Sequence, residues 1–407
     1  MNASASALSL AQIRAAFPAL TQDIVFFDNA GGSQVLRSVA DRVADYMLTT
    51  SVQHGASYAT SQLAKQRLEQ ARGELASLVN ASDPTEILIG GSATALLQNL
   101  SRAIGTWFAP GDELIVSEAE HEANIGPWRR LAEARGLVLK RWPVSRDTGL
   151  LDVATLQRLL TDRTRLVAFT HASNLVGAIH PVAEICKLVR DAGALSVVDG
   201  VAYASHRAVD VQQLGCDFYV VSLYKIFGPH QGLLWGKRAH LVRADSLNHR
   251  FVAADDLPYK LQPGHQNYEL SWGAGAIVAY LQALGGGTGR AGIEAGYARI
   301  AEREAALTER LLAFLRGQQR VRIVGPADAD AAKRVATIAF TVDGKAPRDI
   351  VAATDAAGIG LRHGDFYSRD LSEALGLAPH GVIRASIAHY NTEEEVDRLI
   401  AVLQQVI

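Results

Sequence analysis

Cysteine is nearly absent: Cys186 and Cys216 are the only two in 407 residues. Two thiols cannot make a disulfide framework and are too few for a structural zinc site, so no metal is expected and both read as small buried hydrophobes. Excess charge is missing too. Forty Lys+Arg against 42 Asp+Glu leave a net charge of −2, and no block of like charge forms an arm or tail, which removes the basis for a nucleic-acid or anionic-membrane partner. No apolar run approaches the roughly 18 residues of a membrane span; the longest, 273–284, is broken by glycines, Tyr280 and Gln282. The first residues lack a basic region followed by an apolar one, so no secretory signal is read and the cytoplasm is the expected location. Several catalytic signatures are also missing. No Gly-x-Gly-x-x-Gly follows a strand, no Gly-x-Ser-x-Gly elbow occurs, residues 232–237 lack phosphate-loop spacing, and His121-Glu122 is not followed by a second zinc-spaced histidine.

What is present is an ordinary globular composition, 48% hydrophobic and 20% charged, long enough for two domains. From about 85 to 236, short apolar runs alternate with stretches of helical length. The runs at 86–89 (EILI), 113–116 (ELIV), 165–169 (RLVAF), 195–198 (LSVV) and 218–221 (FYVV) read as buried strands. Stretches 95–105, 125–135 and 182–192 read as helices between them. This alternation implies an α/β fold with a mostly parallel sheet covered on both faces. Beyond about 290 the pattern changes to long helical stretches, with one strand at 337–342. Ser9-Leu10-Ala11-Gln12 and Thr392-Glu393-Glu394-Glu395 read as capping boxes opening a short first helix, ended by Pro18, and a closing helix. The expected division is an N-terminal helical segment, 1–20, packing on a small domain; a large domain, 21–270; and a small C-terminal domain, 271–407, with Gly285-Gly286-Gly287 near the junction.

In parallel sheets ligands sit at the carboxyl ends of the strands, so the residues just after each run carry the argument. After EILI comes Gly90-Gly91-Ser92-Ala93-Thr94, a small-residue turn entering a helix, where backbone N–H groups and the helix N-terminus can hold an anion. A tight turn would need those glycines in any case. After LSVV stands Asp199. It is either a structural aspartate or a counter-ion for a protonated ring nitrogen, since a carboxylate there needs a cationic partner. After FYVV comes Ser222-Leu223-Tyr224-Lys225. Desolvation among aromatic and aliphatic neighbours would lower the lysine pKa and free its amine to attack an aldehyde; outside that context a lysine simply reaches for solvent. His121, shortly after ELIV, could stack on an aromatic cofactor or sit in a surface turn. Asn174 is a short polar donor after RLVAFTHAS, and Arg384, following Val382-Ile383, is a lone cation suited to a carboxylate fork. An anion cradle, an acid, a lysine and a flat imidazole at four strand ends converge on a phosphorylated aromatic aldehyde, pyridoxal 5′-phosphate (PLP).

Over nearly its whole length the chain resembles the class V aminotransferase and cysteine desulfurase family, PLP-dependent enzymes of fold type I. Phe26-Phe27-Asp28-Asn29-Ala30-Gly31-Gly32 is similar to the family's opening strand and turn, and residues 117–128 (SEAEHEANIGPW) to its Glu-His-x-Ala-Asn segment. The resemblance extends to His171-Ala172-Ser173-Asn174, to Asp199-Gly200, to 209–228 (VDVQQLGCDFYVVSLYKIFG) and to 383–397 (IRASIAHYNTEEEVD). It implies a seven-stranded, mostly parallel sheet in a large domain beside a smaller α+β domain. It implies further that Lys225 carries the Schiff base, Asp199 holds the pyridine nitrogen, His121 covers the ring, and Asn174 reaches the phenolic oxygen. Arg384 would bind the substrate α-carboxylate, with Asn29 and Ala30 beside it.

Where the family departs from this sequence, the reaction is at stake. Desulfurases hold a persulfide on a loop cysteine; in the branch where an arginine and a glycine precede it, the counterpart here is Arg362-His363-Gly364-Asp365-Phe366-Tyr367, with Tyr367 in the cysteine's place. Tyr224 replaces the histidine before the lysine, Ala202 a glutamine near the phenolic oxygen, and Ala93 a hydroxyl residue of the cradle, leaving Ser92, Thr94, Ser222 and backbone groups for the phosphate. His265 stands where a threonine reaches the partner's phosphate, so a homodimer with shared sites is implied, and His54 is a second candidate for that exchange. The expectation is a desulfurase-like C–S lyase that acts on an amino acid by β-elimination without a persulfide cysteine, Arg362 and Tyr367 facing the substrate. Transamination by the same residues is the alternative. A PLP-binding regulator or scaffold without turnover is the alternative of another class.

Overall fold

The computed structural model describes residues 7–264 and 266–407. Its centre is a seven-stranded sheet, in spatial order Ile87–Gly90, Gly232–Gly236, Phe218–Ser222, Leu195–Asp199, Thr164–Thr170, Glu113–Ser117 and Val138–Trp142. Only Gly232–Gly236 runs against its neighbours; the other pairings are parallel. The apolar runs form these strands because both faces are covered, so every residue of Glu113–Ser117 and Phe218–Ser222 is buried. Alternate side chains enter two cores: Ile87, Ile89, Ile115, Val167 and Val221 on one face, and Leu88, Leu114, Val116, Leu166 and Val220 on the other. Val138–Trp142, at the edge, carries Lys140 and Arg141 and is mostly accessible.

The covering helices begin and end where local chemistry directs. Ser92 Oγ accepts the Ala95 N–H at 3.1 Å to open Ala93–Ile104, and Pro127 lies in the first turn of Gly126–Arg135, which closes on left-handed Gly136. Helix Gly289–Arg316, 28 residues and about 42 Å long, joins the large core through Ile293, Tyr297 and Ile300. Farther along, its Leu307, Leu311 and Leu315 enter a third core.

That third core backs a four-stranded antiparallel sheet, Arg362–Gly364, Val382–Ser386, Thr337–Val342 and Val321–Val324, with helices Pro347–Ala356 and Glu393–Val406 against it. The closing helix has the capping box read from its sequence, as does the first helix, Leu10–Ala15. Arg14 of that first helix bonds Glu395 and the Tyr390 carbonyl. The chain's opening strand, Val25–Phe26, pairs with Ile359–Gly360, which delivers Asp28 and Asn29 to the gap between the two sheets. Among the described residues no helix is long and apolar enough to cross a membrane.

Candidate active site

Asp199 and Ser222 terminate adjacent parallel strands, and Thr170 ends the next. Lys225 follows three residues after Ser222 in a single 3₁₀ turn, and His121 follows Ser117 in the loop leading to helix Gly126–Arg135. Of the ten positions assigned to a cofactor, nine line one pocket: Ser92, Ala93, Thr94, His121, Asn174, Asp199, Ser222, Tyr224 and Lys225. The tenth, His265, lies outside the described residues.

Each group is in a distinctive electrostatic state. Lys225 is 8% exposed and makes no hydrogen bond or ion pair among the described residues. Burial first, and Arg384 second, pull its pKa down to about 8, while Asp199 and Asp28 oppose them. Asp199 accepts the Val201 N–H at 2.8 Å on Oδ1, and its second oxygen has no described donor; burial pushes its pKa up. That open oxygen suits a protonated ring nitrogen. His121 Nδ1 accepts the Ala123 N–H at 3.0 Å, which fixes the tautomer with its proton on Nε2. Burial, then Lys225 and Arg384, hold it near pKa 4, so the imidazole is neutral at physiological pH. The Ala93 and Thr94 N–H groups, in the first turn of a 12-residue helix, have no acceptor among the described residues. Gly232 permits this close helix start, because a Cβ there would stand 2.5 Å from the Ala93 nitrogen. An anion cradle, an open carboxylate oxygen and an unpaired amine in one cleft match the three attachment points of PLP.

Residues of the second sheet and its loop do not line this pocket but touch two residues that do, Asn174 and His121. Arg384, 2% exposed, donates from Nη2 to Asp28 Oδ1 at 2.7 Å and from Nη1 to the Asn174 carbonyl at 3.1 Å. The Phe366 ring centroid lies 3.7 Å from its guanidinium carbon. Arg362, its cross-strand partner, is 3.9 Å from Asp28 Oδ2. Phe366 and Tyr367 adopt left-handed backbone at φ 54° and 60°, unusual for aromatic residues. The Asn174 amide binds the Phe366 carbonyl at 2.9 Å and receives Ser368 Oγ at 2.7 Å, and the Glu122 N–H holds the Tyr367 carbonyl at 2.8 Å. The Tyr367 ring, 63% exposed, stands 5.4 Å from that of His121. Tyr224 stacks on His230 at 4.9 Å.

Asn29 and Ala30 come to the site differently from the rest. The Asn29 side chain donates to the Phe26 and Ser386 carbonyls and accepts the Tyr390 hydroxyl, and the Ala30 N–H is taken by Ser386 Oγ at 2.8 Å. Their polar groups tie the opening turn to the second sheet. Three residues escaped the sequence reading. Asp28 sits inside the 26–32 motif and Phe366 inside the 362–367 loop. Glu120, 0% exposed, accepts Ser117 Oγ at 2.6 Å and Asn124 Nδ2 at 2.9 Å; burial and nearby Asp199 raise its pKa to about 8. The thiols are elsewhere. Cys186 and Cys216 lie in the large core, 1% and 0% exposed.

The family model for Aminotransferase class-V matches residues 25–399. Aminotransferase-like protein FGM3 of Gibberella zeae is 41% identical over 99% of this chain and 100% of its own length. A cysteine desulfurase of Pectobacterium carotovorum is 34% identical, with 97% of each chain covered. The apo structure of a cysteine desulfurase from Thermococcus onnurineus superimposes with a TM-score of 0.89 at 27% identity, covering 99% of both chains. With strand-end residues, sheet order and sequence in agreement, the chain belongs to the class V aminotransferase family of PLP-dependent enzymes, with the fold of the cysteine desulfurases.

Proposed function

We propose that this enzyme is a C–S lyase that cleaves the Cβ–S bond of an amino acid by β-elimination, without parking sulfur on a cysteine. PLP, when bound, supplies an electron sink for the negative charge at Cα. The remaining work belongs to the chain. Lys225, with a pKa near 8, keeps a useful share of neutral amine at physiological pH and serves to hold the cofactor aldehyde, then to take the Cα proton. The C–H electron pair forms the Cα–Cβ double bond as the Cβ–S pair leaves with sulfur, and water completes the release of pyruvate and ammonia. Asp199 keeps the ring nitrogen protonated, Arg384 orients the α-carboxylate, and neutral His121 covers the ring and offers its Nε2 proton.

One observation carries this reading over persulfide chemistry. The loop position beside His121 is a tyrosine, and both thiols are sealed in the core. A thiolate nucleophile therefore has no source within reach of the pocket. Transamination is the second reading, favoured by the 41% identity to an aminotransferase-like protein. A homodimer is also proposed: Phe251 and Leu48 are each 85% exposed, and Phe251 borders a groove lined by Tyr259 and Tyr268.

Product analysis with L-cysteine and L-cystine decides among these. Elimination yields pyruvate and ammonia with sulfide from cysteine or a persulfide from cystine. Alanine without pyruvate means that desulfuration persists and Tyr367 has been misread. A keto acid formed from a different amino acid, with neither sulfur substrate consumed, supports transamination.

A further inference from the structure

Arg384 is not waiting empty for a substrate. Its Nη2 is held by Asp28 Oδ1 at 2.7 Å and its Nη1 by the Asn174 carbonyl at 3.1 Å, whereas its buried Nε has no partner among the described residues. Nε and Nη2 share one edge of the guanidinium, the edge to which a carboxylate binds through both oxygens. Asp28 therefore makes one of two available bonds and leaves a buried donor unsatisfied, an arrangement that a bidentate carboxylate improves upon. Asp28 also has somewhere to go. Its side chain is 31% exposed, and its other oxygen already lies 3.9 Å from Arg362, which is 51% exposed.

We propose that Asp28 is a specificity residue, an internal carboxylate that occupies Arg384 until the α-carboxylate of an amino-acid substrate displaces it toward Arg362. The proposal rests on the reading that Arg384 receives the substrate carboxylate. An amine without that carboxylate leaves the Asp28–Arg384 pair closed, so the pair selects amino acids over simple amines. A competing structural role for Asp28 is to neutralise Arg362 and Arg384, like charges facing each other across paired strands. That role alone makes every small anion bind more tightly once the carboxylate is removed, chloride as much as a carboxylate, so displacement is read from a tightening for the bidentate carboxylate that exceeds the tightening for chloride.

The test is calorimetric binding of 3-mercaptopropionate, which has the carboxylate and thiol of cysteine but no amine, to the holoenzyme and its variants. If Asp28 leaves Arg384 open about one tenth of the time, Asp28→Asn binds the probe about tenfold tighter, and Asp28→Ala, which keeps no acceptor, at least as tightly. Cysteamine, an amine without a carboxylate, binds Asp28→Asn and Asp28→Ala no more tightly than the wild-type protein. Arg384→Ala loses the mercaptopropionate site. Unchanged or weaker binding by both Asp28 variants, with Arg384→Ala still losing the site, overturns the role of Asp28 and leaves the Arg384 reading intact. Binding that survives Arg384→Ala overturns that reading itself. Absence of detectable binding to Asp28→Asn and Asp28→Ala also refutes the proposal, since both are expected to expose the site.

Discussion

If no persulfide is formed, the enzyme should work without cysteine. Cys186 lies on helix Val182–Asp191 and Cys216 just before strand Phe218–Ser222, in the same core. Burial pushes the Cys186 thiol up to about 12 and Cys216 well above its ordinary value. At pH 7.5 Cys186 is then almost wholly a thiol, far from the thiolate of a working nucleophile. Each Cys→Ala change removes one buried sulfur, about the size of a methylene, at about 1 kcal/mol. The double variant should thus lose about 2 kcal/mol of stability while retaining turnover within about twofold at a temperature where both proteins are folded. Pyruvate and sulfide release measure the turnover. Alkylation and mass spectrometry of the native enzyme after exposure to L-cysteine look for a cysteine heavier by one sulfur. A folded double variant with hundredfold lower activity, or sulfur found on either cysteine, would refute the reasoning.

The depressed lysine makes a linked prediction about pH. An unfolded lysine titrates near 10.5 and folded Lys225 near 8, so the unfolded chain binds more protons between those values and stability rises with pH through that window. Below about pH 8 the full penalty applies, up to ~3 kcal/mol; apo Lys225→Met should therefore resist urea better than apo wild type at pH 7 and match it above pH 10. Equal stability at pH 7 would mean that the lysine is not desolvated. A Cβ at Gly200 would stand 2.1 Å from the Tyr219 ring, which is fully buried and bonded to His171; Gly200→Ala should cost about 3 kcal/mol, with Tyr219→Leu restoring part of the melting temperature. Phe251→Asp with Leu48→Asp should convert a dimer to a monomer in sedimentation, and an unchanged dimer would place the interface on another face.

Five strands of the large sheet were legible because burial on both faces writes them as apolar runs; each of the five lies within a residue of its reading. Val138–Trp142 was not, since an edge strand bearing Lys140 and Arg141 looks polar, and Gly232–Gly236 has only three apolar residues between its glycines, too short a run to mark a strand. The pocket was legible for a different reason: a chemically loaded residue directly after an apolar run is conspicuous. Glu120 sits among Glu118 and Glu122 and reads as part of a solvated acidic turn, yet it alone of the three is wholly buried. Asp28 and Arg384 are 356 residues apart, and no local pattern in either segment announces their pairing.

That long-range pairing matters because the two sheets contribute unlike things to the site. The parallel sheet presents the cradle, Asp199 and Lys225 from rigid strand ends, while the antiparallel sheet presents Arg384, Arg362 and the Phe366–Tyr367 turn. Asn174 is the joint between them. Its backbone carbonyl accepts Arg384 Nη1, its amide nitrogen holds the Phe366 carbonyl, and its amide oxygen receives Ser368. A carboxylate that takes Arg384 from Asp28 acts on a guanidinium already stacked on Phe366 and tied to Asn174, so substrate binding bears on the loop and on the cofactor pocket together. Substitutions in that loop can therefore change which bond is broken while the cofactor groups stay in place. On the proposed reading, this separation is why a tyrosine could replace the sulfur-carrying cysteine without disturbing Lys225, Asp199 or His121.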